Sequence, residues 1–186
     1  MTPNERALEW ALGAWLSRIR DPARSDHLPD AERGRVAILE YIQKGLGWSS
    51  WVKAYPGDGS FAWCGAFAAI AWAQAGVSVE TRKKHFASTY RLDRWGKRNP
   101  LRKVATSSII PGDIVVVDTG GGKDYGDHIT LALAYDKQKA TLATVEGNGQ
   151  GFWPDGTWVE GVVVCIRPRT DIRATYRPIQ ADFGGE

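Results

Sequence analysis

Leu8, Leu12, Trp15, Leu16 and Ile19 recur at helical spacing behind Thr2-Pro3-Asn4-Glu5, which reads as a cap, a first-turn proline and an acid three residues after the cap. The stripe predicts a helix with those side chains inward, ended by Asp21-Pro22. A second helix is predicted over 30–44, with Val36, Leu39 and Ile42 inward and Gly45 as its C-cap. Residues 47–60 are dense in turn formers. Ser60 is then placed to cap a third helix over 63–75, closed by Gly76. This third segment is apolar nearly all round, which predicts a helix at the centre of the domain. A basic helical stretch follows near 88–95.

After the Pro111-Gly112-Asp113 turn the period changes to that of strands. Residues 114–118 form a continuous apolar run, and 128–135 and 141–146 flank a short polar turn, as in a hairpin. A further strand is predicted over 161–167, and residues 168–186 read as a surface tail. Helices first and an antiparallel sheet after give an α+β fold. The expected organisation is an N-terminal helical extension (1–49), a core (50–167) and the tail.

The 186 residues suit one domain of ordinary size, and 43% hydrophobic with 24% charged residues excludes wholesale disorder. Two cysteines, Cys64 and Cys165, are too few for a disulfide scaffold. The net charge of +3 hides an asymmetry: positions 82–103 hold nine Lys or Arg against Asp93 alone. Such a patch suits an anionic partner or a solvated face. No secretory leader is legible at the start, and the uncharged stretch 59–79 reads as a buried helix rather than a membrane span.

Cys64 falls in the first turn of the most apolar helix, where the helix dipole and free N–H groups favour a thiolate and can hold an oxyanion. A cysteine nucleophile needs a base, and the base needs an orienting group. In the strand at 128–135, strict alternation sets Ile129, Leu131, Leu133 and Tyr135 on one face. His128, Thr130, Ala132 and Ala134 lie on the other, a small, polar face predicted to receive the Cys64 helix. A turn centred on Lys137 opposes His128 to Glu146; one centred on Gln138 opposes it to Asn148 with Glu146 diagonal. Either register puts all three on one face. The run from Glu146 to Gly149 also reads as a turn in its own right.

Taken together, Phe61-Ala-Trp-Cys64-Gly-Ala-Phe67, Pro111-Gly-Asp-Ile-Val115, Gly126-Asp-His128-Ile and Val145-Glu146-Gly-Asn148 resemble the CHAP group of cysteine, histidine-dependent amidohydrolases/peptidases, within the NlpC/P60 papain-like superfamily. The resemblance covers roughly 50–167. It implies a papain-like fold and cleavage of a peptide or amide bond in peptidoglycan through a thioester acyl-enzyme. Cys64 would be the nucleophile, His128 the base and then the acid, and Glu146 the orienting group, with Asn148 sharing or taking over that role. Trp63 is expected to wall the substrate cleft, as Trp153 and Trp158 also could, whereas Trp10 and Trp15 read as helix packing.

No cofactor and no metal is expected. Asp58 stands alone where a calcium loop would need partners, and His27, His85 and Cys165 lack ligand spacing. Cys165 reads as inert core. An enzyme made in the cytoplasm without a leader would reach the wall by specialised export or lysis. An antibacterial effector of that kind implies a cognate immunity protein over the cleft. Two rival readings are an intracellular cysteine peptidase or amidase, and a non-catalytic module for an anionic polymer using the 82–103 patch, with nucleic acid the weaker candidate partner.

Overall fold

The computed structural model describes residues 1–21, 31–48, 62–120 and 126–184. Helix α1 is Pro3–Leu16, opened by the expected capping box: the Glu5 N–H donates to Thr2 Oγ1 (3.2 Å) and the Thr2 N–H to Glu5 Oε2 (2.6 Å). Its inward face differs from the expectation. Asn4, Ala7, Ala11 and Ala14 are buried, Leu8, Leu12 and Trp15 flank them, and Leu16 is exposed. Small side chains win that face because α1 packs on another alanine-rich helix, and a row of leucines would hold the two axes apart. The helix ends at Ser17, before Asp21-Pro22. Ile19 and Asp21 then hydrogen-bond along the strand at 160–162.

Helix α2 is Ala31–Glu40 and runs on into a π-helical turn, Tyr41–Gly45. Ile38, Tyr41, Ile42 and Leu46 are buried, whereas Val36 is exposed and Leu39 only partly covered. Gly45 is not the terminator. A Cβ there would lie 2.8 Å from the Ala66 carbonyl oxygen, so it serves close packing; Gly47, at φ +66°, ends the helix.

Helix α3, Cys64–Gln74, is the predicted central helix, with every residue from Cys64 to Trp72 buried. Trp63 occupies its N-cap position, and Ser60 lies outside the described residues. Helices α4 (Val79–His85) and α5 (Thr89–Lys97) follow, each with a serine N-cap. Among the described residues no helix is long and apolar enough to cross a membrane.

Strands β1 (Ile114–Val117), β2 (His128–Asp136), β3 (Thr141–Phe152), β4 (Trp158–Pro168) and β5 (Ile172–Tyr176) form one antiparallel sheet in the order β4-β3-β2-β1-β5. Strand β5 is a correction to the expected surface tail. It pairs with β1, and Tyr176 and Asp182 are buried. The N-terminal helices share the main core with α3 and the sheet rather than standing apart from them.

The β2–β3 register follows the Gln138-centred alternative near the site, with Leu131 opposite Val145 and Ala132 opposite Thr144. A bulge between Ala132 and Ala134 then shifts it by one. The bulge breaks the alternation, so Leu133 packs with Ile129 and Leu131 while Tyr135 packs on the opposite face. Helix α3 lies on the Ile129–Leu131 face, not on the Thr130–Ala132 face. The apolar face buries more surface, and Thr130 instead satisfies its hydroxyl on the Val115 carbonyl (3.3 Å).

The Pro-Gly-Asp turn is a structural knot. Gly112 has φ +89°, and a Cβ there would meet the Asn4 carbonyl oxygen at 2.3 Å. Asp113 is fully buried and accepts from Arg177 Nε and Nη2 (both 2.7 Å), Asn4 Nδ2 (3.0 Å) and the Ile110 N–H (3.0 Å). One carboxylate thus ties α1, the β1 entrance and the segment after β5 together.

Candidate active site

Cys64 is the first residue of α3. The first intrahelical bond is Phe67 N–H to Trp63 O (3.0 Å), so the N–H groups of Cys64, Gly65 and Ala66 have no acceptor within the helix. Gly65 cannot be larger, because a Cβ would lie 2.1 Å from the Phe86 carbonyl oxygen. The segment after α4 thereby fixes the helix start that carries the sulfur.

His128 opens β2, where the strand end meets that helix start. Gly126, at φ +73° and tight against Val116 and Val117, brings the chain into the strand. The imidazole lies close enough to the Cys64 thiol for each to shift the other's titration, and the backbone N–H groups of Gly65 and Ile129 act on the sulfur in the same direction. On its other side, His128 Nε2 donates to Glu146 Oε2 at 3.1 Å. Nδ1 is therefore the nitrogen left to face Cys64.

Glu146, on β3, is fully buried and multiply held. Thr144 Oγ1 donates to Oε1 (2.5 Å), and Arg167 on β4 forks onto both oxygens, Nε to Oε1 at 2.8 Å and Nη2 to Oε2 at 2.5 Å. A buried carboxylate needs such compensation. Although burial pushes Glu146 up, the Arg167 and His128 hydrogen bonds and charges outweigh it and hold the carboxyl well below its usual range.

The same competition sets the pair beside it. Burial raises the Cys64 thiol, but the His128 charge and hydrogen bond and the two backbone donors bring it below an ordinary cysteine. Burial lowers His128, and the Cys64 charge, with help from Glu146, pushes it up to about 10. The arrangement favours a thiolate facing an imidazolium.

The structure thus brings Cys64, His128 and Glu146 into one chain of contacts. Asn148 stands apart from it: with Nε2 committed to Glu146, orientation of the ring falls to the carboxylate, and Asn148 (φ +60°) lines the adjoining cleft. The Glu146–Gly149 run is part of β3, bulged there, rather than a turn. Gly147 has no room for a side chain, since a Cβ would sit 2.4 Å from Phe67 Cβ and 2.7 Å from the Trp63 ring.

Trp63 is also a correction. It is fully buried against Tyr41 and Phe67 and cannot touch a substrate. Its indole N–H instead donates to Asp21 Oδ2 (3.2 Å), and Asp21 is one wall of the cleft. That cleft, about 380 Å³, is lined mainly by polar groups, among them Asp21, Asn148, Gln150 and Glu160 beside His128 and Arg167. Cys64 and His128 expose only 5% and 7% of their surface, a narrow, nearly dry edge of the pair.

Trp153 is buried, whereas Trp158 is exposed on an adjoining apolar groove with Phe152 and Ile166, which meets the cleft at Gln150 and Arg167. Cys165 is half-buried on the strand that carries Arg167, its thiol pushed up to about 12, first by burial and then by the Glu146 charge. Among the described residues no three His, Cys, Asp or Glu side chains cluster as a metal site; Asp58, His27 and Phe61 lie outside those residues.

Arg167 was missed from the sequence. The signal was available: a carboxylate on a buried strand face demands a counter-charge, and Arg167 is the basic residue of the strand that pairs with β3. Compared with known proteins, the chain matches no family model, no curated protein and no solved structure.

Proposed function

We propose that the protein is a cysteine amidohydrolase or endopeptidase of CHAP type, with a papain-like arrangement of helix-borne cysteine and strand-borne histidine, that cuts a peptide or amide bond of peptidoglycan. The observation that carries the reading is the continuous Cys64–His128–Glu146 chain, with Arg167 behind it. The four sequence motifs that resemble the CHAP group support the choice of substrate.

In this reading the Cys64 thiolate attacks the scissile carbonyl carbon. The N–H groups of the first turn of α3 receive the oxyanion. His128 gives its proton to the departing amine, leaving a thioester on Cys64. It then takes a proton from water, which attacks the thioester and releases the acid and the thiolate. Glu146 keeps Nε2 as the donor end of the ring throughout, and it stays ionised because Arg167 neutralises it.

Digestion of purified sacculi by the wild-type chain and Cys64→Ala, with products resolved by mass spectrometry, tests this. New fragments with the wild type alone are expected, and their masses name the bond. Intact sacculi with a folded, thiol-reactive wild type would refute the wall substrate and turn the search to protein or small-peptide amides. An immunity protein over the cleft is a consequence of the same reading.

A further inference from the structure

Seven of the nine basic side chains between 82 and 103 fall into two groups. Arg82 is buried and donates from Nε to the Val77 carbonyl and from Nη1 to the Lys44 carbonyl (both 2.8 Å). Lys97 pairs with Asp93 (2.7 Å), and Arg102 pairs with Asp182 (2.9 and 2.5 Å). These three hold the fold together.

Lys84, Arg91, Arg94 and Arg98 do something else. They surround one groove of about 310 Å³ between the end of α4 and α5, completed by His85 and Tyr90. Among the described residues no acidic side chain lines it. Asp93 is turned to the Tyr176 hydroxyl (2.8 Å) and Lys97, and Asp182 to Arg102 and Trp95. Arg91, Arg94 and Arg98 lie on one side of the helical segment, a row about 10 Å long at 1.5 Å per residue. His85 stacks on Trp95 (6.2 Å, 27°), and burial, then the charges of Lys84, Arg98 and Arg102, push it down to about 4. The groove shares no lining residue with the cleft beside His128.

We propose that the α4–α5 groove binds a poly(polyol phosphate) chain, a flexible polyanion with a phosphodiester in every repeat, at a site separate from Cys64. A row of cations about 10 Å long exceeds what one small anion can neutralise, and guanidinium forks match phosphate oxygens in pairs. The aromatic groups argue against single-stranded nucleic acid, which needs open faces for stacking. Trp95 is buried, and Tyr90, although half exposed, is a single ring with the Arg94 guanidinium against it at 5.6 Å, which leaves no run of open faces for successive bases.

The test is titration of the full chain with poly(glycerol phosphate) in 50 mM salt, followed by calorimetry and by the His85 ring resonances. Saturable binding is expected, with His85 shifting and His128 unmoved. With four cations engaged, affinity falls about 50–150-fold between 50 and 200 mM salt. Arg91→Gln and Arg98→Gln, both at exposed positions, each lower the salt slope by about 0.7–0.9 while leaving thermal unfolding unchanged. Absence of binding at 50 mM, binding unaltered in the double variant, or equally tight binding of poly-glutamate or oligo-dT would overturn the proposal. None of these outcomes depends on whether Cys64 hydrolyses anything.

Discussion

Gly65→Ala separates two physical arguments that predict opposite signs. By helix propensity alone, replacing glycine with alanine inside α3 should stabilise the fold by about 1 kcal/mol. The structure says otherwise, because the new Cβ would lie 2.1 Å from the Phe86 carbonyl oxygen and 3.2 Å from its carbon. Contact is short by about 1 Å or more, and the obstacle is backbone that cannot rotate away. Overpacking of this kind costs about 1–3 kcal/mol and here should reach the upper end. The net loss is then about 2 kcal/mol, or a fall in Tm of roughly 4–8 °C for a chain of this size.

Gly13→Ala is the matched control, since nothing lies within 4 Å of a Cβ built on that glycine of α1. It should gain about 0.5–1 kcal/mol. The displacement should also be felt in chemistry, because a shift of about 1 Å at the start of α3 separates Cys64 from His128. Alkylation of Cys64 by iodoacetamide near neutral pH should slow on the order of 10–100-fold in Gly65→Ala and be unchanged in Gly13→Ala. A Gly65→Ala protein that melts at or above the wild-type temperature and alkylates normally would refute the close approach at Phe86.

Three further outcomes follow from the site. Arg167→Met removes the fork from the buried Glu146 carboxylate, leaving it only His128 and Thr144, and should cost about 3 kcal/mol in chemical denaturation, with Arg167→Lys restoring only part because it cannot fork onto both oxygens; a loss under about 1 kcal/mol would contradict the clamp. His128 has a folded pKa raised to about 10, so its stabilising contribution is complete below its unfolded value near 6.5 and is lost as pH rises through about 10. Melting curves from pH 6 to 11 should therefore show an alkaline decline that flattens in Cys64→Ala; identical curves would break the coupling. Brief labelling near pH 7 followed by peptide mapping should modify Cys64 and spare Cys165, whose thiol is pushed up to about 12; preferential labelling of Cys165 would reverse the assignment of the reactive sulfur.

Much of the site was legible because it depends on parity and local capping. His128 and Glu146 are an even number of residues apart, so a hairpin register centred on a residue puts them on one face; the register beside the turn is offset by one, and the bulge between Ala132 and Ala134 restores the even register at the site, while the Thr2–Glu5 box is decided within four residues. What escaped depends on partners distant in sequence. The inward face of α1 is chosen by the alanines of α3, not by the strength of its own leucines. The bulge near Leu133 changes which residues follow Ile129 inward, and no residue in that run announces it. Trp63 looked like a cleft wall because it adjoins Cys64, yet a neighbour along the chain can face the core while the sulfur faces the strand end. Strand β5 is short, and Arg173 within it masks an alternation that only β1 makes visible.

The Asp113 knot bears on when the protein becomes whole. Its carboxylate waits for Arg177, 64 residues further along, and β1 waits for β5 over nearly the same stretch. During synthesis Cys64, His128 and most of the sheet leave the ribosome while one edge of β1 is bare and a buried acid lacks its cation. Closure of the fold is therefore a late, post-emergence event, and a nascent chain halted before Arg177 displays Cys64, His128 and Glu146 without the clasp that joins α1 to the segment after β5.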